Sequence, residues 1–334
     1  MRLPTLTSLF LLCLLLLASS LAAAPSDADV FTNSAKAGID YELQGEYVGA
    51  VDASDSARIG IQVIALGDGK FRAVGHFGGL PGDGWSRGDK RHSVEAELDK
   101  GQVIFTPVDP KAAGFSAAIL KEGCIAIVHK KKTLLTLNKV QRKSSTLGAL
   151  PPEGAIVLFD GSHADDWENG SLTEEGLLGA TNVASRKKFG DHVLHIEFRT
   201  PFMPGARGQG RGNSGVYIQS RYECQVLDSF GLEGANNECG GIYSIAEPAV
   251  NMCFPPLVWQ TYDMDFTAAK YNDDGEKTKN ARVTIRHNGV VIHDDLELTH
   301  GTPGRHPEGA DPDSVFMQDH GNPVVFRNIW VVEK

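Results

Sequence analysis

Apolar residues in this chain recur at alternate positions or in short runs, and no stretch of 12 or more residues repeats them at helical spacing. Segments 58–66, 70–77, 102–107 and 123–129 are rich in Val, Ile and Phe, and they are interrupted by the turn-forming sequences GDG, GGLPGDG and DPKAAG. They predict a small antiparallel β structure. A second set of candidate strands follows at 155–159, 192–200, 215–219, 222–227, 261–268, 281–287 and 324–332. His287-Asn288-Gly289 reads as a hairpin turn, because Asn-Gly suits type I′ geometry. Many separate strands with turn-rich connections favour a two-sheet sandwich or jelly roll over βαβ units. Such a sandwich buries one face of each sheet and leaves the other free for polar side chains, which is where a ligand site belongs.

Between the two sets, residues 141–152 read QRKSSTLGALPP, a charged, Ser-containing stretch that ends in two prolines and predicts a linker. At the start, Arg2 precedes an apolar run over 9–18 and small residues over 19–24, the pattern of a secretory signal. The run is too short to span a bilayer comfortably. Cleavage after Ala22 or Ala24 fits the pattern. The expected organisation is therefore a signal over 1–24, a small β-rich domain of unassigned role over 25–150, and a larger β-sandwich domain over 151–334. The mature protein is expected to be exported, whether periplasmic, envelope-associated or extracellular, with no stable membrane insertion.

Composition narrows the partners. The chain has 334 residues, 32 Lys and Arg against 42 Asp and Glu, and a formal charge of -10. That balance repels a phosphate backbone and argues against nucleic acid, because the basic run Lys130 to Lys132 is too short to reverse it. Four cysteines lie beyond the signal: Cys124, Cys224, Cys239 and Cys253. They allow three full pairings, of which Cys239 with Cys253 is preferred, and free buried thiols are the alternative. No CxxC pair suggests structural zinc. The GGLPGDGW segment lacks the strand, helix and Gly-Lys-Ser context of a phosphate loop and reads as a turn.

The richest chemistry lies in residues 213–229, NSGVYIQSRYECQVLDS. Strand alternation places Glu223 and Gln225 on one face and Tyr222, Cys224 and Val226 on the other. Extended backward without a bulge, the strand would add Tyr217, Gln219 and Arg221 to the Glu223 face. An aromatic, amides, a cation and a carboxylate suit a saccharide, since the ring can stack on a sugar while the polar groups meet its hydroxyls. An ordinary solvated β face with an Arg–Glu pair is the competing reading. In 315–327, VFMQDHGNPVVFR, the residues Gln318, Asp319 and His320 precede a Gly-Asn-Pro turn. His320 could move a proton near neutral pH, or serve only to hold a loop. Asp228 and Asp263 could face the site or satisfy backbone donors.

These residues also carry a resemblance. The region from about 153 to 334 resembles the 3-keto-disaccharide hydrolase domain family, long described as a domain of unknown function, in four pieces: IVLFDG with Trp167 after it, FGDHVLHIEFR, NSGVYIQSRYECQVLDS and QDHGNPVVFRNIWV. The resemblance implies a concanavalin A-like jelly-roll sandwich for this region; with the small antiparallel domain before it, which lies outside the resemblance, the expected fold is mainly β. It implies an enzyme that cleaves 3-keto-glycosides or 3-keto-disaccharides by C2 proton abstraction and elimination or net hydrolysis, which the signal pattern would send out of the cytoplasm. Glu223, His320 and Asp228 are then the catalytic candidates, and Arg221, Gln225, Tyr243, Gln318, Asp319 and Asn213 the substrate-binding ones. His320 or Glu223 would act as base, with Arg221 or Gln318 stabilising the oxyanion. No cofactor is expected; a carboxylate and histidine cluster could also hold a divalent metal, though no spacing diagnoses one. The segment DDWENGSLTEEGLLGA is compressed relative to the family pattern, so the binding rim is expected to differ. The alternatives are a non-catalytic carbohydrate-binding or wall-associated module and a purely structural exported protein.

Overall fold

A computed structural model describes residues 30–50, 58–109, 112–120 and 123–334; the expected signal lies outside them. Among the described residues no helix is long and apolar enough to cross a membrane.

The first unit is a closed up-and-down barrel of eight antiparallel strands: Gly45–Ala50, Arg58–Gly67, Lys70–Phe77, Arg91–Asp99, Gln102–Phe105, Phe115–Leu120, Cys124–His129 and Lys132–Val140. Tyr47, Val63, Phe71, Phe105, Ile125 and Leu137 fill its interior. Eight strands enclose just enough room for that filling. The charged strand Arg91–Asp99 follows the same logic. Val94, Ala96 and Leu98 pack against the interior while Ser93, Glu95 and Glu97 face solvent. Closure also removes the open sheet edges that a simple antiparallel layer would expose.

The second unit has two antiparallel sheets. One orders Ile156–Phe159, Val325–Glu333, His192–Arg199, Gln260–Thr267, Ala281–His287 and Val290–Leu298, with Leu178–Gly179 as a seventh strand pairing off Val325–Glu333. The other orders Trp167–Glu168, Val183–Phe189, Asp313–Met317, Ser214–Ile218 and Tyr222–Val226. Leu194, Ile196, Tyr262 and Met264 from the first sheet and Val216, Tyr222, Cys224 and Val315 from the second share one hydrophobic core. The hairpin at Asn288-Gly289 forms, with φ of 53° and 85°.

The two units interlock. Ile64 and Val74 of the barrel, and Trp85 in the connection between two of its strands, belong to the core of the second unit, and Phe202 of the second unit is buried in that of the barrel. Residues 141–152 are anchored along most of their length, unlike a free linker. Arg142 pairs with Glu46 at 2.6 Å, Ser144 Oγ lies 2.6 Å from Thr261 Oγ1, and Thr146 Oγ1 donates to Asp263 at 2.6 Å. The four described cysteines are free. Cys224, Cys239 and Cys253 are buried in the core as small hydrophobes, and the pairing preferred for Cys239 with Cys253 is not formed.

Candidate active site

The five-stranded sheet carries the predicted residues, but its local path corrects one expectation. The chain reverses at Gln219 and Ser220, whose φ values of 50° and 53° are left-handed, and Arg221 N–H donates to Ile218 C=O at 3.1 Å. Ser214–Ile218 and Tyr222–Val226 are thus the two arms of a hairpin and not one extended strand. Tyr217 still meets Glu223 because the register sets them opposite each other, with Gly215 opposite Gln225. Tyr222, Cys224 and Val226 enter the core, so alternation turns Glu223 and Gln225 to the outer face.

Glu223 is 4% exposed, and no cationic side chain among the described residues lies within 4 Å of it. Room for its carboxylate comes from Gly215: a methyl group there would lie 2.4 Å from Glu223 Oε1. Burial raises its pKa to about 7, and a hydrogen bond from Tyr217 offsets only part of that rise. Segment 301–306 runs beside these groups. Thr302 Oγ1 accepts from Glu223 N–H at 2.9 Å, and the Tyr217 hydroxyl lies 3.2 Å from Pro303 C=O, which competes with Glu223 for its single proton. Gly304 lies so close to Tyr217 that a Cβ would sit 2.6 Å from the ring.

Five predicted residues gather along this hairpin. Gln225 Nε2 donates to Asn213 Oδ1 at 2.7 Å, Tyr243 N–H to Glu223 C=O at 3.2 Å, and Gln318 N–H to Gly215 C=O at 3.0 Å. Gln318 Oε1 is buried and has no hydrogen-bond partner among the described residues. The remaining four are placed differently. Asp228 forms a buried ion pair with Arg211 Nε at 2.7 Å, and Arg211 continues to Ala65 C=O of the barrel. Arg221 donates to Pro307, Gly309 and Asp311 carbonyls and so holds the 307–311 loop. Asp319 is exposed and accepts from Gly321 N–H at 2.7 Å; His320 is exposed. Sequence reasoning did not assign Thr302 or Gly304, which reach the site from a distant loop. Gly215 did carry a signal, because a glycine inside a strand marks a close approach.

A second polar cluster lies on the outer face of the seven-stranded sheet. His195 Nδ1 is 2.6 Å from Asp263 Oδ1, and its ring stacks on Trp330. Glu197 accepts from Arg327 Nε at 2.7 Å, Asn328 Nδ2 at 3.0 Å and Gly148 N–H at 2.5 Å. Burial opposes the charge on both groups, but the mutual contacts prevail. Hydrogen bonds to Asp263 and Glu197 raise the His195 pKa, and bonds from His195, Asn328, Gly148 and Arg327 pull Glu197 down to about 2. Residues 144–149 lie over this cluster. Among the described residues no group of three His, Cys, Asp or Glu side chains is placed to hold a metal ion.

Two antiparallel sheets around a shared core, one of them carrying a buried carboxylate with no ion-pair partner among the described residues, define a mainly β protein with a candidate site on a sheet face. Residues 154–332 match the 3-keto-alpha-glucoside-1,2-lyase-like domain, and the chain belongs to that family. A candidate glycosyl hydrolase from Parabacteroides distasonis ATCC 8503 is 32% identical, over 55% of this chain and 85% of that one, with a TM-score of 0.50. A second from the same organism is 19% identical over 55% of this chain and 94% of that one, with a TM-score of 0.40. No functionally curated protein matches significantly.

Proposed function

We propose that this protein cleaves glycosides of sugars oxidised at C3, outside the cytoplasm, on a concanavalin A-like jelly-roll sandwich, with Glu223 as the base. The observation that carries this reading is a buried carboxylate with no cationic partner among the described residues, whose pKa of about 7 lets it hold or release a proton near neutrality. A C3 ketone acidifies the C2 proton. The Glu223 carboxylate takes that proton, and the C–H electron pair forms the enolate. The enolate then re-forms the ketone as a C1=C2 double bond appears and the C1–O bond breaks. The departing oxygen leaves as the alcohol after gaining a proton, and water adding at C1 would complete net hydrolysis. Gln318 is favoured over Arg221 as oxyanion partner because Arg221 is committed to loop carbonyls. His320, exposed on its loop, is the weaker base candidate. Family membership supports the chemistry, and the N-terminal signal pattern supports export. Because Glu223 is 4% exposed, segment 301–306 must yield for a sugar to reach it.

The test is to incubate the protein with a 3-keto-glucoside and its unoxidised parent in D2O. Aglycone release from the keto sugar alone, with deuterium entering C2 of recovered substrate, is the expected result. Equal rates on the two sugars would overturn the elimination mechanism, and saturable binding without turnover would make this a carbohydrate-binding module.

A further inference from the structure

Away from Glu223, a cleft of about 370 Å³ opens where the barrel meets the sandwich, with Tyr41, Gln44, Glu46, Lys139 and Arg142 on the barrel side and Pro255 on the other. The family match begins at residue 154, so the barrel wall of this cleft lies outside it. Domain junctions are common places for small-molecule sites, and this volume suits one or two sugar rings.

The polar groups of the cleft are unevenly matched. Glu46 is 1% exposed, and its two oxygens already accept from Arg142 Nε at 2.8 Å, Arg142 Nη2 at 2.6 Å and Gln62 Nε2 at 3.1 Å. Its charge and that of Arg142 cancel. Gln44 is 2% exposed; its Oε1 accepts from Ala65 N–H, and its Nε2 has no acceptor among the described residues. Lys139 has no carboxylate among the described residues within 4 Å, and its Nζ donates to Glu42 C=O at 2.5 Å. The lysine stem has a reserved place: Gly45, at φ 139°, leaves space where a Cβ would be 2.7 Å from Lys139 Cε. The cleft therefore offers one cation with no carboxylate within 4 Å among the described residues, beside the ring of Tyr41 and the apolar surface of Pro255, while Gln44 Nε2 lies buried behind its wall. Its complement is singly negative and faced with C–H groups.

We propose that this junction cleft binds a carboxylated sugar, a uronic or aldonic acid, with the carboxylate held by Lys139 and the ring lying between Tyr41 and Pro255. The site is separate from Glu223 and does not depend on the reaction proposed there.

Calorimetric titration of the full chain with sodium D-glucuronate, methyl β-D-glucoside and sodium acetate, at matched ionic strength, tests it. Glucuronate is expected to bind about tenfold or more tightly than the neutral glucoside. Lys139→Met should weaken glucuronate about tenfold with the chain still folded, the lost Nζ bond to Glu42 C=O lowering the melting temperature only slightly, and Glu223→Gln should leave glucuronate binding unchanged. Equal affinity for the glucuronate and the glucoside, undiminished binding by Lys139→Met, or acetate competing as well as glucuronate would each overturn the proposal. The last would indicate an adventitious anion only.

Discussion

Glu223 and Glu197 stand on opposite outer faces of one sandwich, and both are nearly inaccessible, at 4% and 1% exposure. Their surroundings send them in opposite directions. Glu223 has only the Tyr217 hydroxyl, whose proton it shares with Pro303 C=O, to answer its burial, and its pKa rises to about 7. Glu197 has an arginine, an imidazole, an amide and a backbone N–H, and its pKa falls to about 2. Burial alone therefore does not mark a working group. The informative property is what compensates the charge: a fully answered carboxylate fastens structure, and an unanswered one is poised to exchange a proton.

The strongest way to break the comparison is Glu223→Gln. Turnover of a 3-keto-glucoside should fall by about 10³-fold, within the usual range for removing a general base. Stability should move the other way. Because the folded pKa lies above the ordinary value of 4.5, the unfolded chain loses its proton first as pH rises. Wild-type stability is therefore eroded between about pH 4.5 and 7, by on the order of 3 kcal/mol, and the loss then levels off. The glutamine variant lacks this loss, so urea unfolding at pH 5 and pH 8 should show the gap between the two proteins widening in the variant's favour. A constant gap would mean that Glu223 titrates alike in the folded and unfolded chain and is not a poised base.

Glu197→Gln should have the reverse signature. Its depressed folded pKa contributes stability above the unfolded value of 4.5, which is lost as pH falls through 4.5 towards 2. The variant should be less stable at neutral pH by roughly 3 kcal/mol, less to the extent that half-exposed Arg327 is already screened by water, and should approach wild type near pH 2. Turnover per folded molecule should be retained. His195 sets a limit on the alkaline side, because its raised pKa gives stability that is full below 6.5 and lost as pH rises through the folded value.

The sequence made the Glu223 face readable because alternation separates Glu223 and Gln225 from Tyr222, Cys224 and Val226 within five residues. It could not show the reversal at Gln219-Ser220, since neither residue is a glycine and both adopt left-handed φ within a tight turn. Arg91–Asp99, Val183–Phe189 and Asp313–Met317 escaped prediction for a related reason. Their charged or polar positions obscure an apolar pattern that becomes visible only when a neighbouring strand supplies the other half of the layer. The cover over His195 and Glu197 was hidden more deeply. Ser144 and Thr146 look like linker residues, and their partners lie more than 100 positions away, with |i−j| of 117 for both Ser144–Thr261 and Thr146–Asp263.

That cover yields the smallest effect and the sharpest check on the difference between the two faces. Thr146→Val keeps the side chain's shape but removes the hydroxyl that donates to Asp263 Oδ2 at 2.6 Å and touches Thr261. Asp263 keeps His195 on its other oxygen, but the contacts of the hydroxyl with Thr261 at 2.8 Å and Ser144 at 3.2 Å go as well, so the cost should be about 1 to 2 kcal/mol. The change should be local. The Gly148 N–H, which donates to Glu197, should exchange with solvent about fivefold faster, while the Tyr243 N–H on Glu223 should not change. Equal acceleration at both amides would mean that the two faces loosen together, and that the compensated cluster is no more a separate fastening than the uncompensated carboxylate is a separate site.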